Sequence, residues 1–363
     1  MLSRPHHVNP RKETTRVIHI YKNFAAVKGI SHIGLGVAAS NTSTVLNNQG
    51  FWNTVVPVLN SLDIKTTISN IQNNANQTGQ IPISHVVIAA PWVETIDMLT
   101  LLKTFPDINF VLVCHSNVGF LQADSNGVKI FREALSTQVG NSQFQVAGNC
   151  KRFCDWVKQA YSSDCLWLPN LYNFNQFQTI KLPHKNIPWK SGKIRIGSFG
   201  AMRPLKNQIS AAGAALEISN RLGADLEFWL SSGRAEGGGI GVKRAIQELF
   251  ANIPNAQIKE SGWQSWSDFR RIVGNMDLLL QPSYTESFNM VTADGIAEGV
   301  ASVVSDAIDW VPSDWIASVD DVHDIANKGI ALLHDPHTVQ YGQEALHNYV
   351  QNGIPRWTNW FLS

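Results

Sequence analysis

Gln281-Pro-Ser-Tyr-Thr-Glu-Ser-Phe-Asn-Met-Val-Thr-Ala-Asp-Gly-Ile-Ala-Glu-Gly-Val-Ala-Ser-Val-Val-Ser-Asp306 follows an apolar run at residues 276–280, and the two are read together. The run predicts a buried strand that breaks at Pro282. Apolar periodicity resumes near Asn289 as a helix whose far end is marked by Gly299, and residues 301–304 predict a second buried strand. Strand, polar loop, helix and strand make a βαβ unit, which sets the loop before the helix at the carboxyl end of a parallel sheet, where such sheets bind ligands. Backbone N–H groups of Phe288, Asn289 and Met290 are expected to point from the helix start toward an anion, helped by the helix dipole. Glu286 is placed to accept hydrogen bonds from hydroxyls. The loop suits a phosphate joined to a sugar, while an ordinary parallel-sheet helix with an acid on its loop is the plainer alternative.

Working outward, the chain repeats this alternation. Residues 17–21 and 31–37 predict strands, 51–62 a helix, 85–90 a strand, 94–104 a helix and 109–114 a strand. A helix at 127–139, a strand at 144–147, a helix at 151–161 and a strand at 165–168 continue it. Such alternation predicts a doubly wound parallel sheet. Residues 1–15 read as a loose tail, and 173–193, with Pro183, Pro188 and Gly192 and no period, as an interdomain linker. The predicted domains are 1–185 and 186–345, with residues 346–363, which carry Trp357, Trp360 and Phe361, packing back toward the first.

Composition sets the class. A chain of 363 residues with 44% hydrophobic and 16% charged content is long enough for two cored domains and too apolar for a disordered protein. No window approaches a membrane span, and the start Met1-Leu-Ser-Arg-Pro-His-His has no apolar core of a signal peptide, so a cytoplasmic location is expected. Cys114, Cys150, Cys154 and Cys165 sit among apolar neighbours and are expected to be reduced thiols. Cys150 and Cys154 share a helix face without a second ligand pair nearby, so no metal is expected. Residues 1–185 hold 15 Lys and Arg against 9 Asp and Glu, a charge of +6, while residues 186–363 hold 14 against 19, a charge of −5. Two readings stay open: a positive first half that attracts an anionic acceptor, or two halves that attract each other across a cleft.

Several further residues carry chemistry. Gly34 and Gly36 precede the polar run Ser40–Thr44 and read either as a loop where substrate nears the backbone or as a glycine turn. His115 follows the strand at 109–114 and should emerge at the ligand edge with Ser116 and Asn117, either as a site residue or as a histidine satisfied within its loop. Arg203 and Lys206 lie just before a helix predicted to end at Gly223, where cations, dipole and free N–H groups converge on phosphate. Residues 231–239, with three consecutive glycines at the end, lack the Lys-Ser/Thr ending of a phosphate loop and read as a flexible loop. Gly262-Trp263 precedes Ser265 and Asp268, a capping-box-like helix start.

With these in place, the second half resembles the nucleotide-sugar signature of the retaining glycosyltransferases of family 4. The usual pattern is Glu, seven residues, Glu, a small-residue helix, Gly and a Val-rich strand. Here Glu286 fills the first position and Asp294 the second, one methylene shorter; Ser287 and Asn289 stand where glycines are usual. The resemblance implies a GT-B fold, two Rossmann-like doubly wound parallel-sheet domains facing a cleft, and transfer of a sugar from a nucleotide-diphosphate-sugar, such as a UDP-sugar, to a hydroxyl acceptor with retention. It implies that Arg203 and Lys206 clasp the donor diphosphate and that Glu286 orients the sugar. Ser287, Phe288, Asn289 and Met290 would bind the distal phosphate, Asp294 the ribose, and Gly262 and Trp263 the base. His115 would contact the donor sugar; Gly34 and Gly36, read from the residues alone, are the candidate acceptor loop. No metal or other cofactor is implied, because the protein supplies the positive charge. The +6 half fits a glycan or modified DNA as acceptor. The alternatives are a nucleotide-sugar-binding protein without turnover, to which Asp294, Ser287 and Asn289 point, and a GT-B sugar-nucleotide epimerase.

Overall fold

The computed structural model describes residues 10–23, 34–90, 92–122, 125–174, 192–262 and 264–363. Among these, residues 10–173 with 350–363 form one compact unit and residues 174–349 another. Most of the predicted linker, residues 175–191, and Trp263 lie outside the described residues.

In the first unit β1 (Arg16–Lys22), β2 (Trp52–Val58), β3 (His85–Ala89), β4 (Asn109–Cys114), β5 (Phe144–Gly148) and β6 (Leu166–Trp167) form a sheet in the order β2-β1-β3-β4-β5-β6. Every pair is parallel, with Val87 registered on Val111 and Val111 on Gln145. Helices Thr95–Thr104, Ser125–Val139 and Lys151–Tyr161 supply crossovers. Covered on both faces, the inner strands are continuous apolar runs: Phe110, Val111 and Leu112 are fully buried.

Two expectations here are corrected. Residues 34–37, predicted as the end of a strand and a substrate loop, open the helix Gly34–Asn48. Its glycine, Asn, Ser and Thr content is poor for a helix, and tertiary contacts override propensity. Gly36 lies so close to Tyr21 of β1 that a Cβ there would come 2.8 Å from the ring. Buried Thr42 Oγ1 and Asn41 Oδ1 accept hydrogen bonds from the backbone N–H groups of Leu171 (3.0 Å) and Asn173 (2.9 Å). The predicted helix at 51–62 is instead β2 followed by the helix Leu62–Thr78. Phe51, Val55, Leu59 and Leu62 mimic a helical stripe, but Thr54, Val55, Val56 and Val58 are β-branched and favour a strand. Pro57 is tolerated because β2 is an edge strand paired only with β1. The described end of the predicted loose tail also has structure. Pro10–Glu13 form a helical turn, and Lys12 Nζ sits 5.1 Å over the Phe51 ring.

The last residues lie in the helix Thr338–Leu362. Within the first unit Trp357 Nε1 donates to Pro169 O at 2.8 Å and its ring lies 5.6 Å from that of His19, while Trp360 meets His85 edge-on at 4.9 Å. Trp357→Phe keeps most of the apolar contact but strands the buried Pro169 carbonyl, so it is expected to cost about 1–3 kcal/mol in denaturant titration.

The second unit holds β7 (Lys193–Ser198), β8 (Asp225–Ser231), β9 (Ala256–Ser261), β10 (Leu278–Gln281) and β11 (Ser302–Val304), all parallel, in the order β11-β10-β7-β8-β9. Leu278, Leu279 and Leu280 are fully buried, as the opening stretch predicts for a strand flanked on both sides. Among the described residues no helix is long and apolar enough to cross a membrane.

Candidate functional site

Three loops leave the carboxyl ends of β7, β8 and β10. The first runs from Gly200, at φ +111°, through a 3-10 turn at Pro204–Lys206 to Asn207, at φ +53°. These left-handed residues bend the chain sharply into the helix Gln208–Leu222. Tyr284 N donates to Leu205 O at 3.0 Å, which lays the loop after β10 against this turn.

That contact brings Lys206 to Glu286. Lys206 Nζ donates to Glu286 Oε1, which also accepts from Ser283 Oγ at 2.9 Å and Asn289 Nδ2 at 3.0 Å. Both charged side chains are largely buried, Lys206 at 19% and Glu286 at 10% exposure. Ser305 Oγ in turn donates to Ser283 O, tying the loop to the chain after β11. Asn289, at φ +65°, is the N-cap of the helix Met290–Ala297, its Oδ1 accepting from Thr292 N at 2.9 Å. Its side chain therefore serves both the helix start and Glu286. Phe288 is buried and stacks on Trp310 at 5.1 Å, with Trp310 Nε1 donating to Phe288 O, so its side chain anchors the loop. Ser287 is half-buried beside it.

Asp294 is 1% exposed and accepts from Trp266 Nε1 at 3.0 Å. It lines an open, shallow pocket with Gly200, Ser231, Gly262, Phe269, Met290 and Val291. Gln264 completes the wall. The lining is apolar apart from a few polar groups, the usual character of a small-molecule site. Phe269 is held by the helix Trp266–Gly274, whose N-cap Ser265 accepts from Asp268 N at 3.2 Å as the capping pattern predicts.

The loop after β8 corrects another expectation. Residues 231–239, expected to be a flexible loop, are zipped to the first loop: Met202 N donates to Arg234 O at 2.9 Å and Glu236 N to Met202 O at 3.0 Å. A Cβ at Gly239 would lie 2.1 Å from Met202 O, so glycine is required for this approach. Glu236 Oε2 pairs with Arg203 Nε at 2.7 Å and its Oε1 with Arg234 Nε. Arg234, Glu236, Trp266 and Phe269 escape sequence reading because no period or spacing reports a contact across thirty residues of chain.

The structure gathers Arg203, Lys206, Gly262, Glu286, Asn289, Met290 and Asp294 on the carboxyl edge of one sheet. His115 belongs to the first unit, half-buried after β4, with Asn149 Nδ2 at 3.3 Å from its Nδ1. Burial, and then the neighbouring His19, lower its pKa to about 4, so the ring is neutral near pH 7. Gly34 and Gly36 are helical, which removes them from the expected loop.

No family model and no curated protein matches the chain. Solved structures do. Sucrose-phosphate synthase from Thermosynechococcus elongatus is similar over 96% of both chains at a TM-score of 0.64 and 12% identity. The catalytic domain of starch synthase IV from Arabidopsis thaliana, bound to ADP and acarbose, is similar over 96% of this chain and all of that one, with TM-score 0.64 and 10% identity. These two likenesses span both sheets. The chain has the GT-B fold. TarM of S. aureus, solved with UDP, is similar at TM-score 0.55 and 13% identity over 77% of this chain, which spans 55% of TarM's length. In GT-B terms, the pocket and the charged cluster lie at the carboxyl ends of β7, β8, β9 and β10, the ligand edge of a doubly wound sheet.

Proposed function

We propose that the protein is a glycosyltransferase that moves a sugar from a nucleotide-diphosphate-sugar to a hydroxyl acceptor. The observation that carries this reading is the shared placement of an apolar pocket bearing buried Asp294 and, beside it, the Lys206–Glu286 pair at two helix starts. The pocket suits a nucleoside: Phe269, Met290 and Val291 offer apolar faces to a base, and Asp294 accepts from ribose hydroxyls. Arg203 and Lys206 meet the diphosphate, with the N-terminus of the helix Met290–Ala297 adding its dipole. Glu286 orients the sugar through its hydroxyls.

As the bond from the anomeric carbon to the diphosphate oxygen breaks, negative charge grows on the leaving group, and Arg203 and Lys206 stabilise it. These cations do the work that a divalent metal would otherwise do. We further propose a retaining course, in which the acceptor oxygen attacks from the face the leaving phosphate vacates and that phosphate takes the acceptor's proton. The charge of +6 on residues 1–185 supports an anionic acceptor, a glycan or a modified nucleic acid.

The test is calorimetric titration of UDP, GDP, ADP and their sugar conjugates. One nucleoside diphosphate is expected to bind in the micromolar range, and Arg203→Ala/Lys206→Ala to weaken it by at least about a hundredfold, the effect of losing two charge-assisted contacts. Binding of none, or binding indifferent to the double substitution, contradicts the reading.

A further inference from the structure

We propose that Arg234 is a third cation for the donor diphosphate and that Glu236 is a resident carboxylate the diphosphate must displace. The inference rests on the glycosyltransferase reading above. Its basis is a cluster that joins Arg203 to two residues outside the expected signature: the two oxygens of the Glu236 carboxylate each hold one guanidinium, Arg203 Nε on Oε2 at 2.7 Å and Arg234 Nε on Oε1. A carboxylate held between two guanidinium groups shows that the pair can hold one anion between them, and a phosphate is the other anion arginine favours.

The backbone keeps these groups together whatever the side chains do. The hydrogen bonds between Met202 and residues 234 and 236, with the close seat of Gly239 on Met202 O, lock the loops after β7 and β8 into one surface. Those loops leave from Gly200 and Ser231, which line the nucleoside pocket. Arg234 is thus fixed on the pocket's border by main chain, and exchange of Glu236 for another anion is a side-chain event. The three side chains are 23%, 30% and 32% exposed, so Glu236 can turn outward to solvent, while the Arg203 Nε it leaves is buried and calls for a replacement anion.

Charge gives the exchange its direction. Arg203, Lys206 and Arg234 stand against Glu236 and Glu286, a net of +1; with Glu236 turned to solvent the surface presents +2 to the incoming anion. A nucleoside diphosphate carries more negative charge than a carboxylate and reaches all three cations. Glu236 therefore sets the affinity for the anion, weakening it while keeping the cations apart and oriented.

The experiment titrates UDP, GDP and ADP, and the matching nucleosides, into the wild type, Glu236→Gln, Arg234→Gln and Lys206→Ala. Glutamine at 236 keeps one acceptor oxygen for one arginine, turns an amide donor toward the other and removes the charge. Glu236→Gln is expected to bind the diphosphate about five- to tenfold more tightly, and Arg234→Gln about tenfold more weakly, the scale of one charge-assisted contact. Nucleoside affinity should change by less than about twofold in both, because the nucleoside has no phosphate to feel the charge. Weaker or unchanged diphosphate binding by Glu236→Gln overturns the competitor role and makes Glu236 a positioning residue for Arg203. Unchanged binding by Arg234→Gln, or equal loss of nucleoside and diphosphate, overturns the third cation. If the wild type binds a diphosphate and Lys206→Ala weakens it while both glutamine variants match the wild type, this inference alone falls. If no diphosphate binds the wild type, the glycosyltransferase reading falls with it.

Discussion

Lys206→Ala is expected to lower turnover of the nucleotide-sugar by about two to three orders of magnitude, the loss typical of removing one preorganised donor from developing charge. Two effects add. The leaving diphosphate loses a cation, and Glu286, 10% exposed and bound by Lys206, Ser283 and Asn289, loses the only charge among those three partners. The remaining carboxylate then repels the donor's phosphates. Both kcat and the diphosphate Kd should worsen, whereas Glu286→Gln should lower kcat with a smaller change in Kd, since it abolishes the charge that orients the sugar and leaves Lys206 for the phosphate. If the pair only holds the two loops together, Lys206→Ala will lower Tm while kcat/KM stays within about tenfold of the wild type.

A second large effect is acid lability of the first unit. His19, His85 and His115 each have a pKa lowered from 6.5 to about 4, in each case chiefly by burial. The folded state therefore binds these protons less readily than the unfolded chain, so stability is complete above pH 6.5 and falls as pH drops toward 4. At pH 5 each histidine costs roughly 2 kcal/mol and the three together roughly 6 kcal/mol, comparable to the whole stability of many domains. Urea midpoints at pH 7, 6 and 5, followed by fluorescence of the cluster containing Trp357 and Trp360, should decline steeply. His19→Gln/His85→Gln should remove about two-thirds of that decline, as two of three similar groups no longer titrate. A decline of equal steepness in the double variant would assign the lability to other groups.

The two halves of the chain were unequally legible, for physical reasons. The strand stretches 110–114 and 278–280 are buried on both faces, so they appear as unbroken apolar runs. The start of the helix after β10 was expected near Asn289, and the structure sets that residue as its N-cap. Local chemistry of that kind survives in a sequence. By contrast β2 reads as a helix, because an edge strand needs no regular burial and can hold Pro57, and its partial apolar stripe matches helical spacing. The helix Gly34–Asn48 reads as strand and loop because its stability comes from the approach of Gly36 to Tyr21 and from capping of Leu171 and Asn173 N–H groups by Thr42 and Asn41. No neighbouring residue announces either.

The same division holds at the site. Arg203, Lys206 and Glu286 stand at positions that a βαβ pattern assigns to a ligand edge, and Asp294 comes from the family resemblance alone. Their partners do not. Glu236 reaches Arg203 because the glycine at 239 admits Met202 O, and Trp266 reaches Asp294 from a helix 28 residues earlier in the chain. Such pairings arise from the register β7–β8–β9 and β7–β10, which becomes definite only when the sheet is assembled.

The central claim is that the nucleoside of a sugar donor sits in the pocket bordered by Phe269, Met290, Val291 and Asp294. Photolabelling with azido derivatives of UDP, GDP and ADP, followed by peptide mapping, tests it directly. The account predicts label on peptides containing residues 262–269 or 290–294, suppressed by the unmodified diphosphate and lost in Arg203→Ala/Lys206→Ala. Diphosphate-suppressible label confined to other peptides would place the nucleotide elsewhere and contradict the account.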